Sequence, residues 1–264
     1  MKPKFDRSKT FWWSPKPKFG LPWLQKENAG DLLGPSIVER LLKERGIDIL
    51  SQKRGKLFSI GSVMHFAKDG DTIWGTGING KMSLDLLQFR TLDVRAVRGP
   101  QTAEILTKMG LRVPEIFGDP GILTSRYWPD DGTPKKGPAF IPHMREEVPD
   151  SISRRYKVIS PLISLDEFIA NIRSASEVYS SSLHGIIIAE SYGIPAALIT
   201  NKSGEAPFKY LDYYQGTGRN SLVSFDSAED VRGNFPNPPN IKQIQDRLIE
   251  TFPFDLWESG RKNS

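Results

Sequence analysis

Three histidines occur in the 264 residues, and His184 has the surroundings best suited to chemistry. The run Ser181-Ser182-Leu183-His184-Gly185 follows an apolar strand ending at Tyr179, and the short apolar helix it opens continues through Ile186-Ile187-Ile188-Ala189. A further strand, Ala196–Thr200, completes a strand–turn–helix–strand unit. The first N–H groups of a helix have no partner within it, and the helix dipole adds positive potential there. Such a turn holds an anion readily. A histidine placed in it adds a group that can donate a proton. The pattern points to an enzyme site for a phosphorylated small molecule.

Other residues offer chemistry together with plainer readings. Asn28-Ala29-Gly30-Asp31 precedes an expected helix, Asp31–Arg45. It serves either as a capping turn or, facing a cleft, as a place where Asp31 takes a proton from a sugar hydroxyl. Val97-Arg98-Gly99-Pro100 sets an arginine between a strand end and a helix start. That arginine is either a surface residue or a clamp whose planar fork binds phosphate or carboxylate. Gly75-Thr76-Gly77 is a permissive loop and a weak phosphate signal. Gly118-Asp119-Pro120-Gly121 reads as a turn, with Asp119 structural. His143, in Ile141-Pro142-His143, ends a strand and either enters a cleft or is exposed. His65 reads as ordinary, and Glu190 lies nearly two helical turns beyond His184.

The elements needed to position these groups follow from apolar spacing and from breakers. Strands are expected at Thr10–Trp13, Leu57–Ile60, Thr72–Trp74, Val94–Val97 and Glu115–Phe117, with a helix at Gln101–Met109 opened by Pro100. Residues 126–138, rich in Pro, Gly and charge, read as a linker. The alternation then resumes with strands Ala139–Ile141, Lys157–Ser160 and Glu177–Tyr179. A helix begins at Leu165 behind the capping box Ser164/Glu167, and a last amphipathic helix covers Ile241–Thr251. Strands alternating with helices on both sides of a linker imply an α/β fold with two parallel sheets. Ligands in such folds bind beyond the carboxyl ends of the strands, where two half-sites would face one cleft.

Composition narrows the function classes. With 38% hydrophobic and 25% charged residues the chain is ordinary for a soluble globular protein. No apolar run reaches membrane-spanning length, and no apolar signal-peptide core is expected at the start. The absence of cysteine excludes disulfides, thiolate metal sites and cysteine nucleophiles, and a cytoplasmic location is the simpler expectation. The net charge of +5 is concentrated in residues 1–26, which hold seven Lys/Arg and one Asp among Phe11, Trp12, Trp13, Phe19 and Trp23. This arm suits an anionic membrane surface, a polyanion or a phosphate-bearing sugar; alternatively it is a first strand with a solvated basic flank. No nucleic-acid partner is expected, because the rest of the chain is slightly acidic and carries no binding motif.

The ordered set NAGD (28–31), GSV (61–63), WGTG (74–77), VRGP (97–100), GDPG (118–121), IPH (141–143) and SSLHG (181–185) with GIP (193–195) resembles the polysaccharide pyruvyl transferase family. Each motif is weak alone; the order and spacing are specific. The resemblance implies two Rossmann-like domains facing a cleft, in a glycosyltransferase-B-like arrangement. These would be 1–126 on the acceptor side and 138–239 on the donor side, with a C-terminal helix and tail at 240–264. It implies transfer of the pyruvyl group of phosphoenolpyruvate onto a sugar of an exopolysaccharide or cell-wall glycan precursor, with no metal or other cofactor. One form of acceptor expected is a lipid-linked saccharide, met at the membrane face through the basic arm. By position, Arg98 and His184 match the family's donor-binding arginine and histidine. Ser182 stands where some members carry an arginine. Asp31 is the expected base and His184 the donor-phosphate ligand and acid. Asn28, Gly30, His143, Ser182 and Gly185 complete the expected substrate contacts. Competing readings are a nucleotide-sugar glycosyltransferase of the same fold, with Glu190 on the ribose, and an inert glycan-binding or assembly protein.

Overall fold

A computed structural model describes residues 6, 9–14, 27–52, 54–200 and 204–258. In the first half, β1 (Thr10–Phe11), β2 (Leu57–Phe58), β3 (Thr72–Trp74) and β4 (Asp93–Ala96) form a parallel sheet in chain order. Helix α1 (Ala29–Lys43) links β1 to β2, α2 (Pro100–Lys108) follows β4, and α3 (Thr124–Tyr127) ends this half. The second half runs β5 (Ala139–Ile141), α4 (Asp150–Arg155), β6 (Lys157–Val158), α5 (Leu165–Arg173), β7 (Val178–Ser180), α6 (Leu183–Ser191), β8 (Ala196–Ile199), α7 (Phe208–Gly216), β9 (Ser224–Phe225) and α8 (Ala228–Val231). Its five strands are parallel in the order β6-β5-β7-β8-β9. That is a doubly wound order whose direction of winding reverses between β5 and β7, the point where such sheets bind ligands.

Local sequence explains most boundaries. Helix α1 starts two residues before the expected Asp31, because Asn28 is the cap and its Oδ1 accepts the Gly30 N–H at 2.9 Å. Of the expected capping box at α5 the N-cap half is present, Ser164 Oγ accepting the Glu167 N–H at 3.4 Å, while the Glu167 carboxylate accepts from the Ser164 hydroxyl at 2.6 Å. The expected strand Glu115–Phe117 is instead a single bridge between Val97 and Phe117. Helix α3 occupies the start of the expected linker, and Lys136 pairs back to the Ser174 carbonyl at 2.7 Å. Helices α4, α7 and α8 and strand β9 were not foreseen. The first and third helices are short, and α7 is rich in tyrosine without a clean apolar stripe.

One apolar cluster runs through both halves, joining Leu33, Ile37 and Leu57 of the first to Ile186, Ile187, Ile188 and Tyr213 of the second. The three isoleucines of α6 are fully buried, and burial of each contributes about 1.5–3 kcal/mol. Helix α9 (Ile241–Glu250) and the residues after it return to the first half. Trp74 Nε1 donates to the Leu248 carbonyl and Trp257 Nε1 to the Ile49 carbonyl, both at 2.9 Å. Among the described residues no helix is long and apolar enough to cross a membrane.

The aromatic part of the basic arm is partly packed away. Phe11 stacks on Phe58 with ring centroids 4.8 Å apart, and Trp12 is buried. Trp12 is therefore not exposed for an interfacial contact, as the competing buried-strand reading of this segment requires. Phe19, Trp23 and the lysines at 16 and 18 lie outside the described residues, as does the lysine-bearing C-terminal tail.

Candidate active site

The carboxyl ends of both sheets open onto one cavity of about 330 Å³. Trp13, Asn28 and Asp31 reach it after β1, Ser62 after β2, Lys81 after β3, Arg98 after β4, His143 and Arg145 after β5, Ser182 and His184 after β7, and Glu205 and Lys209 after β8. His143 and His184 thus flank the reversal point between β5 and β7. Parallel strands expose their loops and following helix N-termini at one edge, so the two sheets bring residues far apart in sequence to one chamber.

His184 lies in the first turn of α6, whose start carries no side-chain cap. Its imidazole lies over Gly30 so closely that a Cβ there would come within 2.3 Å of Nδ1. Nε2 is shielded and has no hydrogen-bond partner. Burial, and then the charges of Lys209 and Arg98, lower the His184 pKa to about 3. At neutral pH the ring is accordingly a neutral hydrogen-bonding group and not a standing cation. His143 is held neutral in the same way, its pKa lowered to about 4 by burial and by Lys209, against the opposing pull of Glu205.

Arg98 is fully buried. Nε and Nη2 both reach Asp212 Oδ2 at 3.0 Å, Nη2 donates to the Ile78 carbonyl at 2.8 Å, and Nη1 donates to Ser62 Oγ at 2.6 Å. Asp212, on α7, also accepts from the Thr102 N–H and hydroxyl at 2.9 and 2.7 Å. The planar fork expected to hold a ligand is therefore engaged chiefly across the two halves, and through Ser62 it orients a hydroxyl at the cavity. The Gly75-Thr76-Gly77 loop serves this arrangement: a Cβ on Gly77 would fall 2.4 Å from the guanidinium carbon.

Of the other expected residues, Asn28, Asp31, His143 and Ser182 line the cavity. Asn28 combines its cap with a contact from Nδ2 to Met144 Sδ at 3.5 Å. Asp31 faces the backbone at Gly61. Gly30 and Gly185 are not among the lining residues. Gly30 makes room for His184, and Gly185 lets α6 close on Ser180 and Ile141. Glu190, the residue on which a nucleotide-sugar reading leaned, is buried and held by Arg219 at 2.5 and 3.1 Å and by the Tyr213 hydroxyl at 2.6 Å. His65 reaches the rim of the cavity beside Phe66.

Sequence reasoning missed the cationic rim. Lys81 and Lys209 both bind the Glu205 carboxylate, the second at 2.6 Å. Burial raises the Glu205 pKa, but the two lysines outweigh it and hold the carboxylate at about 2. Glu146 anchors the loop after β5 by accepting from the His143 N–H at 3.1 Å and from the Ser181 hydroxyl. The available signal was the βα rule, which calls for a helix after β8 and so places α7 and Lys209 at the sheet edge. Among the described residues no group of three or more His, Cys, Asp or Glu is placed to hold a metal ion.

The titrations of His184 and His143 predict a pH effect on stability. Both folded values lie below the ordinary histidine value of 6.5, so the unfolded chain binds more protons between that value and about 4. Stability should therefore fall as pH drops through this window. Asp119, whose pKa is raised to about 7, acts in the opposite sense, and Glu205 titrates below the window. Chemical denaturation at pH 7 and pH 5 should show the loss, and His184→Gln should reduce it; an unchanged loss would show that His184 is not held neutral.

A cavity with lysines among its lining residues, set at the reversal point of a parallel sheet, lies where α/β proteins of this class bind their ligands. Residues 28–203 match the profile of the family described as polysaccharide pyruvyl transferase, and the chain belongs to that family. It is 26% identical over 200 residues to the succinoglycan biosynthesis protein ExoV of Rhizobium meliloti (strain 1021), covering 66% of this chain and 61% of that protein. It is 27% identical over 206 residues to an uncharacterized protein of Acanthamoeba polyphaga mimivirus, covering 70% and 69%. No solved structure matches the chain significantly.

Proposed function

We propose that the protein transfers the pyruvyl group of phosphoenolpyruvate to a saccharide of an exopolysaccharide or cell-wall glycan precursor, forming a ketal and releasing phosphate. The observation that carries this reading is the cavity, which His184 lines together with Lys81, Lys209 and Arg145, the charge of Lys209 lying near enough to act on the His184 ring. Phosphoenolpyruvate bears a phosphate and a carboxylate, and this cationic rim is suited to both. The two sheets act as the lobes of a glycosyltransferase-B-like arrangement, the second half holding the donor and the first the acceptor. His184 and the first-turn N–H groups of α6 hold the phosphate, and Asp31 takes the proton of the attacking sugar hydroxyl. In this reading the reaction uses no metal or organic cofactor, as the family resemblance implies. The protein works in the cytoplasm on an acceptor that is free or lipid-linked; contact with an anionic membrane rests on the charge of residues 1–26 alone.

Phosphoenolpyruvate should raise the melting temperature, since a ligand at a hundred times its dissociation constant adds about 2.7 kcal/mol, whereas nucleotide sugars should not. Phosphate release from phosphoenolpyruvate with a panel of free and lipid-linked hexosides then identifies the acceptor. A shift with nucleotide sugars alone would overturn the reading.

Glu205 holds the two lysines in the way one anionic group of the donor would. Replacing Lys209 by methionine removes a charge-assisted hydrogen bond of about 1.5–3 kcal/mol and should raise the donor dissociation constant ~10–100-fold. Glu205→Gln should lower it, because the lysines lose a competing anion. Titration calorimetry measures both, and donor binding indifferent to Lys209 would remove that side chain from the site.

A further inference from the structure

Asp119 precedes the turn Pro120–Leu123, where sequence reasoning made it a structural cap. The cap exists: Oδ1 accepts the Gly121 N–H at 2.8 Å. It uses only half of the carboxyl group. Oδ2 is shielded and has no hydrogen-bond partner, the residue is 1% exposed, and it lines the cavity with His184 and Asp31. A capping asparagine would serve the turn equally well, so the turn does not explain the second oxygen.

We propose that the Asp119 carboxyl group is the proton donor to the methylene carbon of the enol substrate, a step that rests on the phosphoenolpyruvate reading above. An ionised carboxylate buried with one oxygen unpaired is strongly disfavoured, whereas the neutral acid carries a proton it can deliver. Burial raises the Asp119 pKa to about 7; the Gly121 N–H and Arg98 oppose this, and Asp212 adds to it. Tyr213 of α7 also feels its charge, and His184 of α6 and Asp31 of α1 share its cavity. His184, by contrast, is held neutral by its burial and is a weak source of protons at pH 7.

The atoms balance without a redox partner. The Oδ2–H bond breaks, and the carbon–carbon π pair forms the new C–H bond, leaving a cationic carbon stabilised by its oxygen. One sugar hydroxyl adds to that carbon, the bond to phosphate breaks, and a second hydroxyl closes the ketal. Of the two hydroxyl protons released, the one that Asp31 takes from the attacking hydroxyl is passed on to the departing phosphate, and the other restores Asp119.

The test compares the full-length chain with Asp119→Asn, which keeps the cap and loses the acid, and with Asp119→Ser as a second capping variant should the first not fold. Infrared spectroscopy of the wild type near pH 7 should show a neutral carboxylic acid band that both variants lack. Phosphoenolpyruvate should still raise the variants' melting temperatures, while phosphate release in the presence of the hexosides falls ~10²–10⁴-fold. Absence of the band from the wild type, or turnover of a folded variant within a few-fold of it, overturns the proposal. Failure of the donor reading is distinguishable: phosphoenolpyruvate then leaves the wild-type melting temperature unmoved while the band is present, and the proposal falls for want of its enol substrate.

Discussion

Replacing Arg98 by alanine should destabilise the protein by about 3–5 kcal/mol, the cost of leaving a buried charge without its partner. The guanidinium and the Asp212 carboxylate are both fully buried, so neither is rescued by water when the other is removed. A typical domain is stable by only about 5–15 kcal/mol, so the loss is large. Arg98→Lys keeps the charge but cannot bind Asp212, the Ile78 carbonyl and Ser62 together, and should fall between the two. Urea unfolding measures this directly. Stability of Arg98→Ala within about 1 kcal/mol of wild type, the size of an exposed ion pair, would show that the pair is not the bond between halves described above.

Gly30→Ala should produce the opposite combination, a sound fold with a damaged site. Gly30 is the second residue of α1, and an alanine there keeps the N–H that the Asn28 cap accepts. The added methyl would come within 2.3–3.0 Å of Nδ1, Cγ and Cβ of His184, so that side chain has to shift. A misplacement of about 1 Å at a reacting centre can lower turnover ~10²-fold, and His184→Ala should lower it at least as far. Hexoside-dependent phosphate release checks both variants, with unfolding curves recorded alongside. Full turnover in Gly30→Ala would mean that the position of His184 does not matter; full turnover in His184→Ala would make the residue structural.

Much of the architecture was legible because it is encoded locally. Asn28 and Ser164 read as caps and Pro100 as a helix start, and each does that work within a few residues of itself. The placing of His184 at a helix start after a strand is equally local. The ordered motifs also carried the family. Strands of two to four residues still paired as expected because apolar runs between breakers mark them even when their ends shift.

The site was only half legible, and the missing half is non-local. Nothing near Arg98 announces that its partner is Asp212, 114 residues further along and in a helix with no clear apolar stripe. Lys81 and Lys209 read as ordinary surface lysines until the two sheets bring them to one carboxylate. Asp119 has the local signature of a turn, and it is one; its second oxygen acquired meaning only when α1, α6 and α7 closed around it. Sequence by itself determined most of the longer elements, their order and the identity of the groups available. Tertiary structure decided which of those groups are desolvated and which partners meet them, as Asp212 meets Arg98, because burial sets the local cost of carrying charge.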